Sequence, residues 1–528
     1  MIVRAVLAAT LLIASLAAMA ADFRWSAQGD ANTLDPHATN EAFTNGISAM
    51  AYEPLVARGK DMSLVAALAE SWENPSPTRW VFRLRPGVAL HDGTPLTADD
   101  VVFSFERARL SGSTFRPYAT MAGTPRALDE RTVEFTTPVP TPVMLDAVST
   151  IFIMSRAWCE RHGVAKAQDY RRREATYAAN HAMGTGPFVL ESREADTRTV
   201  HRRNPRWWGI RHGLHEGDVE RVEFLPMANA ASRVAALLSG RLDFVLDPPA
   251  KDLPALRADG RFRVWEGPEN RVVFVGLDQF RDELLHSSMK GRNPFRDRRV
   301  REALALGIDI HALRVHVMAG ASIPTSIALP DPAGAGVPPA LDEPRPPDPE
   351  RARRLLAEAG HADGLSFTLH CSSDRVLNEE RLCLALASMW ARIGLDVKVE
   401  VLPKARLRPL LLKREASAFL STFGAASAEA IFALKPMLRS PLPAGGGEAN
   451  FGNVRIEALD ALIDAMEVEM DRSRRQALVV SAVKLMSEEL PVIPLHRQVI
   501  AWVSRSGISV VHRPNNILNP VWVKVGHP

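Results

Sequence analysis

Apolar and polar positions along this chain change period repeatedly, from two residues to about four and back. Trp80, Phe82 and Leu84 alternate with Val81 and Arg83, which predicts a strand from Trp80 to Leu84. Thr97-Ala-Asp-Asp100 then reads as a capping-box-like helix start, with Asp100 where Glu or Gln is usual. Val101, Val102, Phe105 and Ala108 fall on one face of the helix it opens. Residues 231–239 predict a short helix carrying Val234, Leu237 and Leu238, closed by Gly240 and followed by a strand from Leu242 to Leu246. Asp348-Pro349-Glu350 opens a further helix that Gly360 ends. A helix through Leu382, Leu386 and Trp390 stops at Gly394, after which Leu395, Val397, Val399 and Val401 alternate as a strand. Interleaving of this kind indicates α/β lobes. No repeat or heptad is visible. Two stretches break the pattern: Pro324 to Pro349, rich in Pro and Gly, predicts a long surface loop or a boundary, and Gly445-Gly446-Gly447 a flexible connection.

The first twenty residues follow a different logic. Arg4 precedes an apolar run from Val6 to Ala18, and Ala18-Met19-Ala20 supplies small residues for cleavage before Ala21. The expectation is a signal peptide at 1–20 and an exported chain. No Cys near the cleavage site suggests a lipid anchor, and no later run is long enough to span a membrane. At 528 residues the length suggests two to four domains, and Lys+Arg 64 against Asp+Glu 61 leaves a near-balanced net charge of +3. That balance, with 6% aromatic residues, argues against a nucleic-acid partner. Three Cys exclude a disulfide scaffold. Cys371 and Cys383 can pair in an oxidising compartment, leaving Cys159 odd, but the default reading makes all three small buried hydrophobes.

Enzyme motifs are nearly absent: there is no HExxH, GxSxG, Walker or Rossmann fingerprint. Ser287-Ser-Met-Lys290 matches SxxK but lacks the partner motifs that give it meaning, so a serine hydrolase on Ser287 and Lys290 is the weaker alternative. Gly184-Thr-Gly186 before Pro187 reads as a tight turn. His311 and His316 lie five apart, off a shared helical face, and His370 beside Cys371 is the one soft-ligand pair. Neither makes a metal site, so no metal and no cofactor are expected.

Several ordered blocks carry more weight together than any one of them. They are Thr33-Leu-Asp-Pro-His37, Tyr52-Glu-Pro-Leu-Val56, Leu68-Ala-Glu-Ser-Trp-Glu73 and His91-Asp-Gly-Thr-Pro-Leu-Thr-Ala-Asp-Asp-Val-Val-Phe-Ser-Phe105. Gly184-Thr-Gly-Pro-Phe188, Asn204-Pro-Arg-Trp-Trp-Gly209, Asn293-Pro-Phe-Arg-Asp-Arg-Arg-Val-Arg301 and Glu489-Leu-Pro-Val-Ile-Pro-Leu-His496 continue the series. This order resembles the family 5 solute-binding proteins of ABC importers, the peptide, dipeptide and nickel group.

The resemblance implies a periplasmic-binding-protein type II fold: two hinged α/β lobes plus an inserted subdomain. Lobe I takes 21–55, 183–275 and 493–528, the inserted subdomain 56–182, and lobe II 276–492, with hinges near Val275 to Asp278 and Pro494 to Gln498. It further implies a monomeric periplasmic carrier that closes on a small-molecule or peptide ligand in an interlobe cleft and delivers it to ABC permease subunits. Most of the identifying motif residues read as scaffold. Asn40, Glu41 and Phe43, in the loop after the opening motif, are the ligand-binding candidates from lobe I. In lobe II, Ser421 to Ala430 matches the stretch where peptide binders place an Asp after a Trp to pair with the ligand ammonium. Here Phe423 replaces the Trp and Ala426 the Asp, so ordinary α-peptide recognition is not expected. Phe423, Ser427 and Glu429 are the candidates in this stretch, Glu429 as a displaced carboxylate. Arg375 is the candidate for a ligand carboxylate. A metal-chelate cargo on His370 and Cys371 is a variant of this reading, and a binding module that signals, chaperones or scavenges without transport is a third alternative.

Overall fold

The computed structural model describes residues 21–526 apart from 173, 374, 426 and 443–445. The expected signal peptide, Ala426 and Gly445 therefore lie outside the described residues. The chain divides into two compact units. The first runs to Thr136, resumes over Leu145–Glu266 and takes the chain from Ala501 onward; the second takes Thr137–Met144 and Gly267–Ile500. Two long strands, Phe262–Leu277 and Val492–Arg505, carry the chain between them. The limits fall inside these strands at Glu266/Gly267 and Ile500/Ala501, where the sequence suggested crossings at Val275 to Asp278 and Pro494 to Gln498.

In the first unit the strand Ala21–Ser26 runs parallel to Val219–Phe224 on one side and to Phe244–Leu246 on the other. Arg198–Arg203 and Phe188–Glu194 extend the sheet antiparallel, and Trp502 to Ser504 close its far side against Phe244–Leu246. Phe23, Trp25, Phe224, Phe244 and Trp502 are buried within it. A separate antiparallel sheet orders Ala69–Ser76, Arg79–Leu84, Thr132–Thr136 and Thr124–Asp129. All four strands fall within 56–182, and they belong to the first unit. The helix Ala98–Arg109 covers this sheet, with Phe105 edge-on to Phe135 at 4.8 Å. Its start is the anticipated box, because the Thr97 N–H donates to Asp100 Oδ2 at 3.0 Å.

The second unit centres on Ser366–Ser372, which runs parallel to Asp396–Leu402 and Ala418–Gly424; the latter pairs antiparallel with Arg271 to Leu277. Local signals place the helix ends here. The Asp348 side chain accepts from the Arg351 N–H at 2.9 Å, and Gly360 and Gly394 stop their helices at φ +81 and +88. The helix Glu379–Ala391 packs on the sheet, and Trp390, buried, donates its indole N–H to the Leu304 carbonyl at 2.8 Å. One expectation is corrected: Cys371 and Cys383 are not merely small hydrophobes but form a disulfide that ties this helix to the central strand, while Cys159 is buried and free. Burial pushes the Cys159 thiol up to about 12. Between Pro324 and Pro349 the chain forms no strand or longer helix, only turns at 332–336 and Pro339–Leu341. This stretch is anchored by Asp342, which accepts from Thr325 Oγ1 and from Arg497 Nη1.

Candidate ligand-binding site

The sequence blocks of the first unit turn out to hold one another in place. Asp35 and Arg107 form a fully enclosed bidentate pair, Nη1 to Oδ1 at 2.8 Å and Nη2 to Oδ2 at 2.7 Å. Glu53 is buried and accepts from Trp207 Nε1 at 3.0 Å, Trp208 Nε1 at 3.1 Å and Thr185 Oγ1 at 2.8 Å. Burial raises its carboxyl to about 7 although these three donors pull the other way. Gly184 and Gly186 serve close approach as well as a turn: a Cβ at 184 would lie 2.2 Å from the Ala51 carbonyl oxygen, and one at 186 would lie 2.5 Å from that of Met50.

The three candidates here already have structural work. Glu41 is the N-cap of the helix Ala42–Ala51, its carboxylate accepting from the Thr44 N–H at 2.8 Å. Phe43 is half-buried, 5.8 Å from the Trp25 ring and 5.3 Å from Phe224. Asn40 is exposed, and its Oδ1 accepts from Asn45 Nδ2 at 2.7 Å.

In the second unit Arg375 and Phe423 come together around the end of the strand Ala418–Gly424. Arg375 donates from Nη2 to the Thr422 carbonyl at 2.9 Å and from Nη1 to Ser421 Oγ at 3.4 Å. Burial holds its guanidinium below the usual value, and the positive charges of Arg271 and Arg408 push the same way. Phe423 is half-buried and stands in register with Val272. Glu429 is engaged elsewhere: Arg475 binds it through Nη2 at 3.2 Å and Nε at 3.3 Å. The Ser427 hydroxyl accepts from the Glu429 N–H at 3.0 Å. Arg271 was not anticipated from the sequence, although Glu269-Asn270-Arg271 places charge directly before a buried apolar run.

The family model for bacterial extracellular solute-binding proteins, family 5 (middle), matches residues 63–441. The chain belongs to this family. It is similar to the probable deoxycholate-binding periplasmic protein YgiS of Escherichia coli K12, 26% identical over 90% of this chain and 88% of that one. It is also similar to the glutathione-binding protein GsiB of Escherichia coli O157:H7, 25% identical over 92% and 91%. Among solved structures, the ABC transporter substrate-binding protein CtaP of Listeria monocytogenes superposes with a TM-score of 0.80, covering 96% of this chain and 100% of that one at 18% identity. The fold is thus that of periplasmic binding proteins, and this family 5 member is a solute-binding component of an ABC importer.

Other chemistry proposed for this family 5 chain finds little support. Cys371 is in the disulfide, so the His370–Cys371 pair has no thiolate to offer a metal. No group of three or more His, Cys, Asp or Glu suited to a metal occurs among the described residues. Ser287 Oγ donates to the Ser366 carbonyl at 2.9 Å, while exposed Lys290 lies 3.6 Å from Glu283. A cavity of about 770 Å³ opens in the second unit beside Phe280, Arg296 and Arg455, and none of the seven candidate residues lines it. No helix among the described residues is long and apolar enough to cross a membrane.

Proposed function

We propose that this family 5 protein captures a peptide-like or other small polar solute with Arg375 and Phe423, and delivers it to the ABC permease without any covalent step. The observation that carries this reading is Arg375 itself. It is partly buried and held by a carbonyl and a hydroxyl, and no carboxylate among the described residues lies within ion-pair distance of it. A guanidinium so placed suits a ligand carboxylate. Deoxycholate and glutathione, named for the two relatives above, both carry carboxylates. Export through a cleaved signal peptide at 1–20, action as a monomer, and the division into 21–55 + 183–275 + 493–528, 56–182 and 276–492 belong to the same proposal. Asn40, Glu41 and Phe43 in the first unit and Ser427 and Glu429 in the second are the further ligand-contact candidates of this proposal.

Mass spectrometry of solute co-purifying with the native protein tests this directly, followed by a thermal-shift screen. A solute at 100 times its dissociation constant stabilises the fold by about 2.7 kcal/mol. Native protein that carries no solute and is stabilised by none would overturn the proposal. Catalytic turnover of any bound solute would overturn its non-enzymatic part.

A further inference from the structure

The loop that carries Arg375 joins the strand Ser366–Ser372 to the helix Glu379–Ala391 in the second unit. A long side chain on a free loop must be ordered when it binds, and that ordering costs affinity. This loop is pinned instead. Glu379, the first residue of the helix, is buried and turns its carboxylate back over the loop. Its Oε1 accepts from the Ser372 N–H at 2.7 Å and its Oε2 from the Val376 N–H at 3.1 Å. One side chain thus holds the backbone before and after Arg375. The helix dipole favours a carboxylate at this position, and the two N–H donors offset the cost of burying it.

Other contacts hold the same loop. The Ser373 N–H donates to the Leu402 carbonyl at 3.0 Å. Asn378 takes the left-handed conformation, φ +56, and its Nδ2 donates to the Val317 carbonyl at 2.9 Å. Cys383 lies one helical turn after Glu379, on the same face, and is bonded to Cys371, the residue before Ser372. A hydrogen-bonded link and a covalent link therefore join one strand end to one helix, side by side. From this fixed backbone the Arg375 guanidinium reaches the Thr422 carbonyl and the Ser421 hydroxyl.

We propose that Glu379 is a positioning residue for solute binding: it fixes the backbone on both sides of Arg375, with the Cys371–Cys383 bond as a second lock, so that the guanidinium is ordered before the solute arrives. The inference rests on the reading above that Arg375 contacts the solute, and adds the residues that hold Arg375 ready. Charge alone would act in the opposite sense. A negative Glu379 repels an acidic solute, so neutralising it would tighten binding if only its charge mattered. Loss of its hydrogen bonds weakens binding if position matters. A merely structural role would lower the melting temperature and leave affinity as it was.

The test uses the full chain, stripped of solute in urea, refolded, and titrated by calorimetry well below the melting temperature of each variant. The probes are glutathione, deoxycholate and tri-alanine. With the probe that binds best, Glu379→Gln, whose amide oxygen cannot span both N–H groups, is expected to weaken binding about ten-fold. Cys371→Ser with Cys383→Ser is expected to weaken it as well. Ser287→Ala, which loosens the same strand at its start, should leave it unchanged. In an Arg375→Gln background the loss caused by Glu379→Gln should vanish, because Glu379 acts through Arg375. Unchanged or tighter binding in Glu379→Gln, or a loss that persists in full without Arg375, would overturn the inference. Should Glu379→Gln not fold, the same cycle run with the cysteine pair decides by the same criterion. A probe that binds the wild type and Arg375→Gln equally removes the Arg375 reading and this inference together, as does failure of all three probes. Weakened binding in Arg375→Gln with none in Glu379→Gln sinks this inference alone.

Discussion

Breaking the Asp35–Arg107 pair should destabilise the first unit far more than its distance from any ligand suggests. Both side chains are wholly enclosed. Arg107 donates twice to Asp35 and further to the carbonyls of Val164 and Lys166, both at 3.0 Å. Asp35 also accepts from the His37 N–H at 3.1 Å and the Gln168 N–H at 2.9 Å. Burial opposes the Asp35 charge, yet the Arg107 guanidinium holds its carboxyl below the usual carboxylate range. Arg107→Met keeps most of the volume but leaves that carboxylate with two backbone donors, and Asp35→Asn strands the guanidinium. Each should cost about 3–5 kcal/mol. The double variant restores neutrality, so its cost should fall short of the sum by about 2 kcal/mol or more. Urea unfolding followed by tryptophan emission is the assay. Nine of the ten tryptophans lie in the first unit and only Trp390 in the second, so the signal reports mainly on the unit perturbed. Single costs below about 1 kcal/mol that add in the double variant would refute the reasoning.

Four further outcomes are expected. The Cys371–Cys383 bond spans 12 residues, so Cys371→Ser with Cys383→Ser should destabilise the second unit by about 3 kcal/mol, read from the calorimetric transition under non-reducing conditions; no shift would refute it. Burial depresses His37, His91 and His496 to about 4 and His201 to about 3, so the unfolded chain takes up protons that the folded chain refuses. Stability should therefore fall as pH drops from about 6.5 towards 4, by up to roughly 3 kcal/mol for each of these groups. Glu53 acts in the opposite sense, losing stability as pH rises from 4.5 towards 7, but it is one group against four. A melting temperature that climbs on acidification across this range would contradict the balance. Gly184→Ala should cost about 1–3 kcal/mol or more through the clash with the Ala51 carbonyl, and a wild-type melting temperature would show that the turn yields. Ser287→Ala should leave solute binding intact and lose about 1 kcal/mol with the bond to the Ser366 carbonyl; loss of a catalytic activity would revive the hydrolase reading.

The candidate site was only partly legible, for reasons visible in individual residues. Arg375 and Phe423 were suggested by their place in a recognisable pattern, and both fall at the end of the strand Ala418–Gly424. The same route suggested Glu41 and Glu429, yet one is a helix cap and the other is held by Arg475, 46 positions along the chain. A carboxylate in sequence does not reveal which donor has already claimed it. Arg271 escaped notice because Thr422, which its side chain reaches, is 151 positions away and meets it only through strand pairing.

What the sequence by itself determined was local: the alternation of strand and helix, the Asp348 cap, the stops at Gly360 and Gly394, and the ordered blocks that mark the family. These follow from side-chain period and backbone preference, which act over a few residues. The tertiary structure alone decided how those blocks are used. Asp35 meets Arg107 across 72 positions and Glu53 meets Trp208 across 155, so residues that looked like a signature are partners in buried polar networks. It likewise decided that Cys371 and Cys383 bond and that Arg271 reaches Thr422. Charge, burial and hydrogen bonding depend on what arrives from elsewhere in the chain, and only the folded chain brings it there.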